Sequence, residues 1–133
     1  MKQPQKLDNK TCISLLKKAD EALTHTYPHP NSGYSVALLT KNGNIYTGAS
    51  YGSDTWTLTM HSEAVALSYA AQHGETEIVA ITGPNCHICK QLIYESALRS
   101  GIDTLIIVKE GEEIKQIPIS ALMPYPWPEK PTI

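Results

Sequence analysis

The sequence has no long hydrophobic run, no dense block of lysine and arginine, and only three cysteines, and each scarcity removes a class of protein. A helix that crosses a bilayer needs roughly 20 consecutive apolar residues. No stretch of this chain approaches that, so the sequence reads as soluble, with no membrane partner. The first residues, MKQPQKLDNK, have neither the apolar core of a secretion signal nor an Arg-rich amphipathic pattern, which makes the cytoplasm the expected location. A formal net charge of -2 with scattered cations argues against nucleic acid, whose binding rests on neutralising many phosphates. A small molecule is the expected partner. Three cysteines, two of them in Cys86-x-x-Cys89, do not make a disulfide framework and point to metal or redox chemistry. With 133 residues, 41% hydrophobic and 18% charged, the chain suits one globular domain over 1–133 that holds the whole site. Residues 1–10 are expected to be flexible and the proline-rich residues 124–133 to form a tail or lid.

What is present is periodicity. Cys12, Leu15, Leu16, Ala19 and Leu23 recur at three- and four-residue spacing, which predicts an amphipathic helix over Thr11–Thr24. Tyr34–Thr40 and Asn44–Ser50 flank Lys41-Asn42-Gly43, where Asn-Gly supplies the positive φ angles of a tight hairpin turn. His61–His73, rich in Ala, Leu and Val and stopped by Gly74, reads as a second helix. Ile78–Thr82 is a short apolar strand, Cys86–Ser100 a third helix closed by Gly101, and Thr104–Val108 another buried strand. Glu112–Ile117 alternates in polarity like an edge strand, and Ser120 is placed to cap one short turn before Pro124. The order α-β-β-α-β-α-β-β implies a three-layer α/β/α fold, a mixed sheet of roughly five strands covered by helices on both faces.

Two pieces carry chemistry: His61-Ser62-Glu63 opening the second helix and Pro84-Asn85-Cys86-His87-Ile88-Cys89 opening the third. In a parallel β-α arrangement such helix starts converge on one edge of the sheet, so His61, Cys86 and Cys89 can meet. The positive helix ends favour thiolates. One imidazole and two thiolates leave the fourth position of tetrahedral zinc for water, the mark of a catalytic site. Zinc can lower the pKa of water toward ~7. Glu63, two residues after a ligand, can accept that proton and return it to a ring nitrogen and a departing amine. Plainer readings exist for both pieces. Cys86 and Cys89 could form a redox pair, which leaves His61 and Glu63 unexplained, and Glu63 could be a carboxylate favoured at a helix start. His87 reads as a solvent-facing or subunit-contact side chain and Cys12 as a small core residue, while His25, His29 and His73 receive no assignment.

His-x-Glu followed by a proline and Cys-x-x-Cys resembles the signature of the zinc-dependent cytidine deaminase family. The resemblance extends over most of the chain. Leu38–Gly48, LLTKNGNIYTG, is similar to the first hairpin of the small cytidine deaminases. Cys86–Glu95 is similar to their C-x-x-C-[RK]-Q helix, and Ile119–Trp127, ISALMPYPW, resembles their closing segment. Tyr34-Ser35-Val36-Ala37 is closer to the blasticidin S deaminases. The resemblance implies one Zn2+ per subunit on His61, Cys86 and Cys89, Glu63 as proton shuttle, and a homotetramer, with a homodimer as the alternative. It implies hydrolytic deamination of a cytosine-containing nucleoside or analogue, releasing ammonia. The alternatives are a blasticidin S-type deaminase and a zinc-stabilised binding protein of the same fold that has lost turnover.

The departures from the family fall on substrate contacts. Relatives read the ribose with an Asn and a Glu at the positions of Ser50 and Gly52; Ser50 can still hydrogen-bond, whereas Gly52 leaves space for a bulkier group. Asn85 stands between Pro84 and Cys86, where the family proline directly precedes the cysteine, which implies a reshaped loop around the leaving amine. Many tetrameric members use Cys as the first ligand and follow the catalytic Glu with Arg. Here His61 is neutral and Ala64 follows Glu63; Zn2+ with two thiolates is formally neutral and needs no compensating cation. Ser62 is a further candidate substrate contact. Tyr34 is either a core strand residue or the base-contacting aromatic, Trp56 a candidate wall, and Trp127 either packing or a lid over a neighbouring subunit's substrate. Aromatic faces of this kind suit a flat heterocycle.

Overall fold

In the computed structural model, which describes residues 1–133, helix α1 spans Asn9–Ala22. It starts earlier than its apolar period requires because the Asp8 carboxylate accepts the Thr11 N–H at 2.8 Å, an N-cap that the periodicity does not register. Strands β1 (Ser35–Thr40) and β2 (Ile45–Ala49) form the antiparallel hairpin. Its turn differs from the expected one: only Gly43 has a positive φ, +87°, and Asn42 does not. The Thr40 carbonyl accepts the Gly43 N–H at 2.9 Å and the Thr40 N–H donates to the Asn44 carbonyl at 2.9 Å. The loop is therefore three residues long with a left-handed glycine at its end.

Helix α2 (Ser62–Gln72), strand β3 (Ile78–Thr82), helix α3 (His87–Ser100) and strands β4 (Leu105–Glu110) and β5 (Glu113–Pro118) complete the order read from the sequence. The strands lie β2-β1-β3-β4-β5, with β3 and β4 parallel and every other neighbour antiparallel, so the fold is the mixed five-stranded α/β sheet expected. β5 is an edge. Two apolar cores sandwich the sheet. On one face α1 lays Cys12, Leu15 and Ala19 on Ala37, Ala80 and Leu105. On the other, α2 and α3 lay Ala66, Ala70, Ile93 and Ala97 on Leu38 and Ile106. A fully buried leucine or isoleucine stabilises such a core by about 1.5–3 kcal/mol. Leu105, Ile106 and Ile107 are all buried because β4 is covered on both faces, which is why that strand reads as continuously apolar.

Helix α2 can approach the sheet closely because it meets it with alanines and a glycine. A Cβ at Gly48 of β2 would overlap the Ser62 carbonyl and the Ala66 backbone and side chain. That contact sets the height of the α2 start, where the catalytic candidates lie. Lys2 donates its N–H to the Gly101 carbonyl at 2.7 Å beyond α3, Gln116 of β5 holds both backbone groups of Leu7 at 2.8 Å, and Asp8 caps α1, so the segment preceding α1 is hydrogen-bonded to the fold at three points. Ser120 does not cap its turn, the single 3-10 turn Ile119–Leu122. Instead Asp103 accepts the Ser120 N–H at 3.0 Å and its hydroxyl at 2.5 Å, doing from the neighbouring loop what the serine was expected to do. No helix is long and apolar enough to cross a membrane.

Candidate active site

The two helix starts converge as their sequence implies. His61 is the N-cap residue of α2 and Cys86 that of α3, with Cys89 in the first turn of α3. Their ligand atoms lie within 4.8 Å of one another. His61 Nδ1 stands 3.2 Å from Cys89 Sγ and 3.5 Å from Cys86 Sγ. A tetrahedral ion bonded to nitrogen at about 2.0 Å and sulfur at about 2.3 Å separates such atoms by about 3.5 Å. The donor set fits zinc. The cysteines are free thiols, and burial, followed by the negative charge of Glu63, pushes the Cys89 thiol well above its usual range. A divalent cation among these atoms reverses both penalties, because it compensates the thiolate and the nearby carboxylate together. The redox-pair reading loses ground here, since it gives neither His61 nor Glu63 a task.

Glu63 lies in the first turn of α2, is buried, and is held by two donors. The Ser62 hydroxyl donates to Glu63 Oε1 at 2.8 Å and Asn85 Nδ2 donates to Oε2 at 2.8 Å. Ser62, expected to touch substrate, therefore lines the cavity with its hydroxyl already committed to Glu63. Asn85 also donates to the Thr82 carbonyl at 3.1 Å, while its Oδ1 is buried without any partner. A buried polar atom left unpaired costs about 1–3 kcal/mol.

A cavity of about 520 Å³ opens beside these groups. One wall is the metal-ligand side, His61, Ser62, Glu63, Pro84 and Cys86; the other is the loop of residues 26–34 with Ser50, Gly52 and Thr59. No lysine or arginine lines it, and Glu63 is its only carboxylate. Tyr34 is 79% exposed and forms part of the wall, so it is not a core strand residue. Ser50 accepts the Tyr34 N–H on its hydroxyl at 3.0 Å, which leaves its own hydrogen free to donate. Gly52 lines the cavity and puts no side chain into it. Its N–H donates to the Tyr27 carbonyl at 2.7 Å, and a Cβ there would stand 3.2 Å from both that oxygen and Pro28 Cδ. A side chain at this position would need Tyr27 and Pro28 to give by a few tenths of an ångström.

The candidate wall at Trp56 is not formed within this protomer, whereas the Trp127 lid was expected over a neighbouring subunit. Trp56 is 88% exposed and Trp127 71% exposed, and neither lines the cavity. The tail is fixed to α3 instead: Gln91 donates to the Trp127 carbonyl at 2.7 Å and the Tyr94 hydroxyl to the Pro128 carbonyl at 3.0 Å. His87 is exposed and outside the ligand cluster, and Cys12 is fully buried, as expected. His29, which received no assignment, lines the cavity. Its only sequence signal was its place in a loop just before Tyr34, and loops on a rigid scaffold are where binding residues concentrate.

Comparison with known proteins agrees with this geometry. Residues 9–108 match the family model described as the cytidine and deoxycytidylate deaminase zinc-binding region. A cytidine deaminase of Halalkalibacterium halodurans is 29% identical over 120 residues, covering 83% of this chain and 89% of that protein. The crystal structure of cytidine deaminase from Burkholderia pseudomallei is similar at a TM-score of 0.71 and 20% identity, covering 90% of this chain and 98% of that one. That of the Mycobacterium tuberculosis enzyme gives 0.70 and 18%, covering 92% and 99%.

Proposed function

The chain belongs to the cytidine and deoxycytidylate deaminase zinc-binding family, and on that premise we propose that it hydrolyses the exocyclic amine of cytosine in a free nucleoside, yielding the uracil nucleoside and ammonia. The observation that carries this reading is the convergence of His61, Cys86 and Cys89 beside the buried Glu63, with His61, Glu63 and Cys86 lining one wall of the cavity. His61, Cys86 and Cys89 would hold the metal. Zinc bound there supplies Lewis acidity that makes a water nucleophilic near neutral pH. The remaining work falls to the chain. Glu63 accepts the proton that water loses, passes it to the ring nitrogen beside the amine-bearing carbon, and returns a second to the departing amine. The carbon–nitrogen bond breaks as the carbonyl forms, so water and the cytosine ring account for every atom of the products. Tyr34 offers an aromatic wall for the ring, and Ser50 a hydroxyl donor for the sugar.

The cavity favours a nucleoside over its 5′-phosphate. A phosphate entering a site without lysine or arginine would lose water and gain no cation. Ammonia release from cytidine, deoxycytidine and deoxycytidine 5′-phosphate at equal enzyme tests this. Turnover of the nucleosides, with kcat/KM for the phosphate lower by about tenfold or more, is expected. Preference for the phosphate, or no ammonia from any nucleoside, contradicts it.

The assembly we propose is a homotetramer in which Trp127 covers a neighbouring protomer's cavity. Its support is the exposure of Trp56 and Trp127, large apolar side chains without cover in one protomer, and the anchoring of the tail on α3 by Gln91 and Tyr94. A cytoplasmic location, where thiols stay reduced, suits ligands such as Cys86 and Cys89.

A further inference from the structure

Asn85 has no part in the proton transfers above, yet it touches the group that performs them. We propose that Asn85 is a positioning residue, whose carboxamide clamps the Glu63 carboxylate in the place the deamination requires; the inference rests on the deaminase reading of the site. Both hydrogens of Nδ2 are used, one on Glu63 Oε2 at 2.8 Å and one on the Thr82 carbonyl at 3.1 Å. Because both partners are acceptors, the amide has one orientation; turned over, its oxygen would face two oxygens. Ser62 holds the other carboxylate oxygen at 2.8 Å, so Glu63 is gripped from both sides.

The far end of the amide shows what the arrangement costs. Asn85 Oδ1 is buried and unpartnered, pressed against Gly83, where a Cβ would come within 2.8 Å of it. Buried acceptors left without donors are rare and call for an explanation beyond stability. The donors of Asn85 explain it: they tie the end of β3, at Thr82, to the start of α2, at Glu63, in the loop that delivers Cys86. Glu63 must reach a water, a ring nitrogen and an amine in turn, and a carboxylate misplaced by an ångström loses much of that ability.

The test compares Asn85→Ala, Asn85→Asp, Glu63→Gln and the double variant Glu63→Gln with Asn85→Ala, each assayed for zinc content, thermal midpoint, and kcat and KM on cytidine. Asn85→Ala should keep one zinc per chain, an undiminished midpoint and a KM within about threefold, while kcat falls about 10- to 100-fold. Asn85→Asp, which sets an acceptor against the carboxylate, should fall further. In the Glu63→Gln background Asn85→Ala should cost nothing more, because it acts through Glu63. Full kcat in Asn85→Ala, an equal loss in both backgrounds, or loss of zinc or stability that accounts for the defect overturns the proposal. Wild-type protein inactive on every cytosine nucleoside would sink the deaminase reading instead. A crystal structure of Asn85→Ala then decides: Glu63 displaced supports the clamp, Glu63 in place refutes it.

Discussion

Glu63 owes its setting to two neighbours of different kinds, Ser62 beside it in the chain and Asn85 from the loop after β3. The ligands were legible because each sits at a helix start whose boundary the sequence marks: His61 ahead of an Ala-rich run, Cys86 after Pro84, Cys89 one turn on. The grip of Asn85 on Glu63, the hydrogen bond of Gly52 to the Tyr27 carbonyl and the position of His29 were not legible. All three depend on where an irregular loop runs in space, which no periodicity encodes. Trp127 tests the assembly at a single side chain. Light scattering should give the mass of four chains, and Trp127→Ala should keep its zinc while KM for cytidine rises roughly 3- to 10-fold, the worth of one aromatic contact. A monomeric mass or an unchanged KM contradicts the lid.

Among the elements, the hairpin and α2 are joined at the end remote from the metal by Glu75, just beyond the helix. Its buried carboxylate accepts from the Thr40 hydroxyl at 2.6 Å, the Asn44 amide at 2.9 Å and the Tyr46 hydroxyl at 2.5 Å. These donors, Thr40 first and Tyr46 next, hold its pKa down to about 2 from an ordinary 4.5. A carboxylate depressed on folding contributes stability that is complete above its unfolded pKa and is lost as pH falls toward the folded one. The window is therefore about pH 4.5 down to about 2. Glu75→Gln should melt below wild type near neutral pH, and the gap should shrink by about pH 3. A gap independent of pH contradicts the assignment. The elements themselves were readable because caps and periods agree: Gly74 and Gly101 end their helices at φ +78°, as glycines at that position do. The departures, an earlier α1 start and a cap from Asp103, come from side chains acting on backbone outside the periodic run.

In the whole molecule, the sheet brings together segments that are far apart in the chain. The C-terminal ends of β2 and β3 feed the loops that lead to α2 and α3, and the 26–34 loop forms the cavity's other wall. A rigid two-core sandwich holds the ligands and Glu63, while the substrate wall is built from loop backbone and hydroxyls, so the chemistry was more readable than the specificity. The most direct test is the conversion of cytidine to uridine by zinc-loaded wild type and Glu63→Gln, with bound zinc measured in both. One zinc per chain in each, with kcat lower in the variant by about 10²- to 10⁴-fold, is predicted. Equal turnover by the two proteins at equal zinc would contradict it.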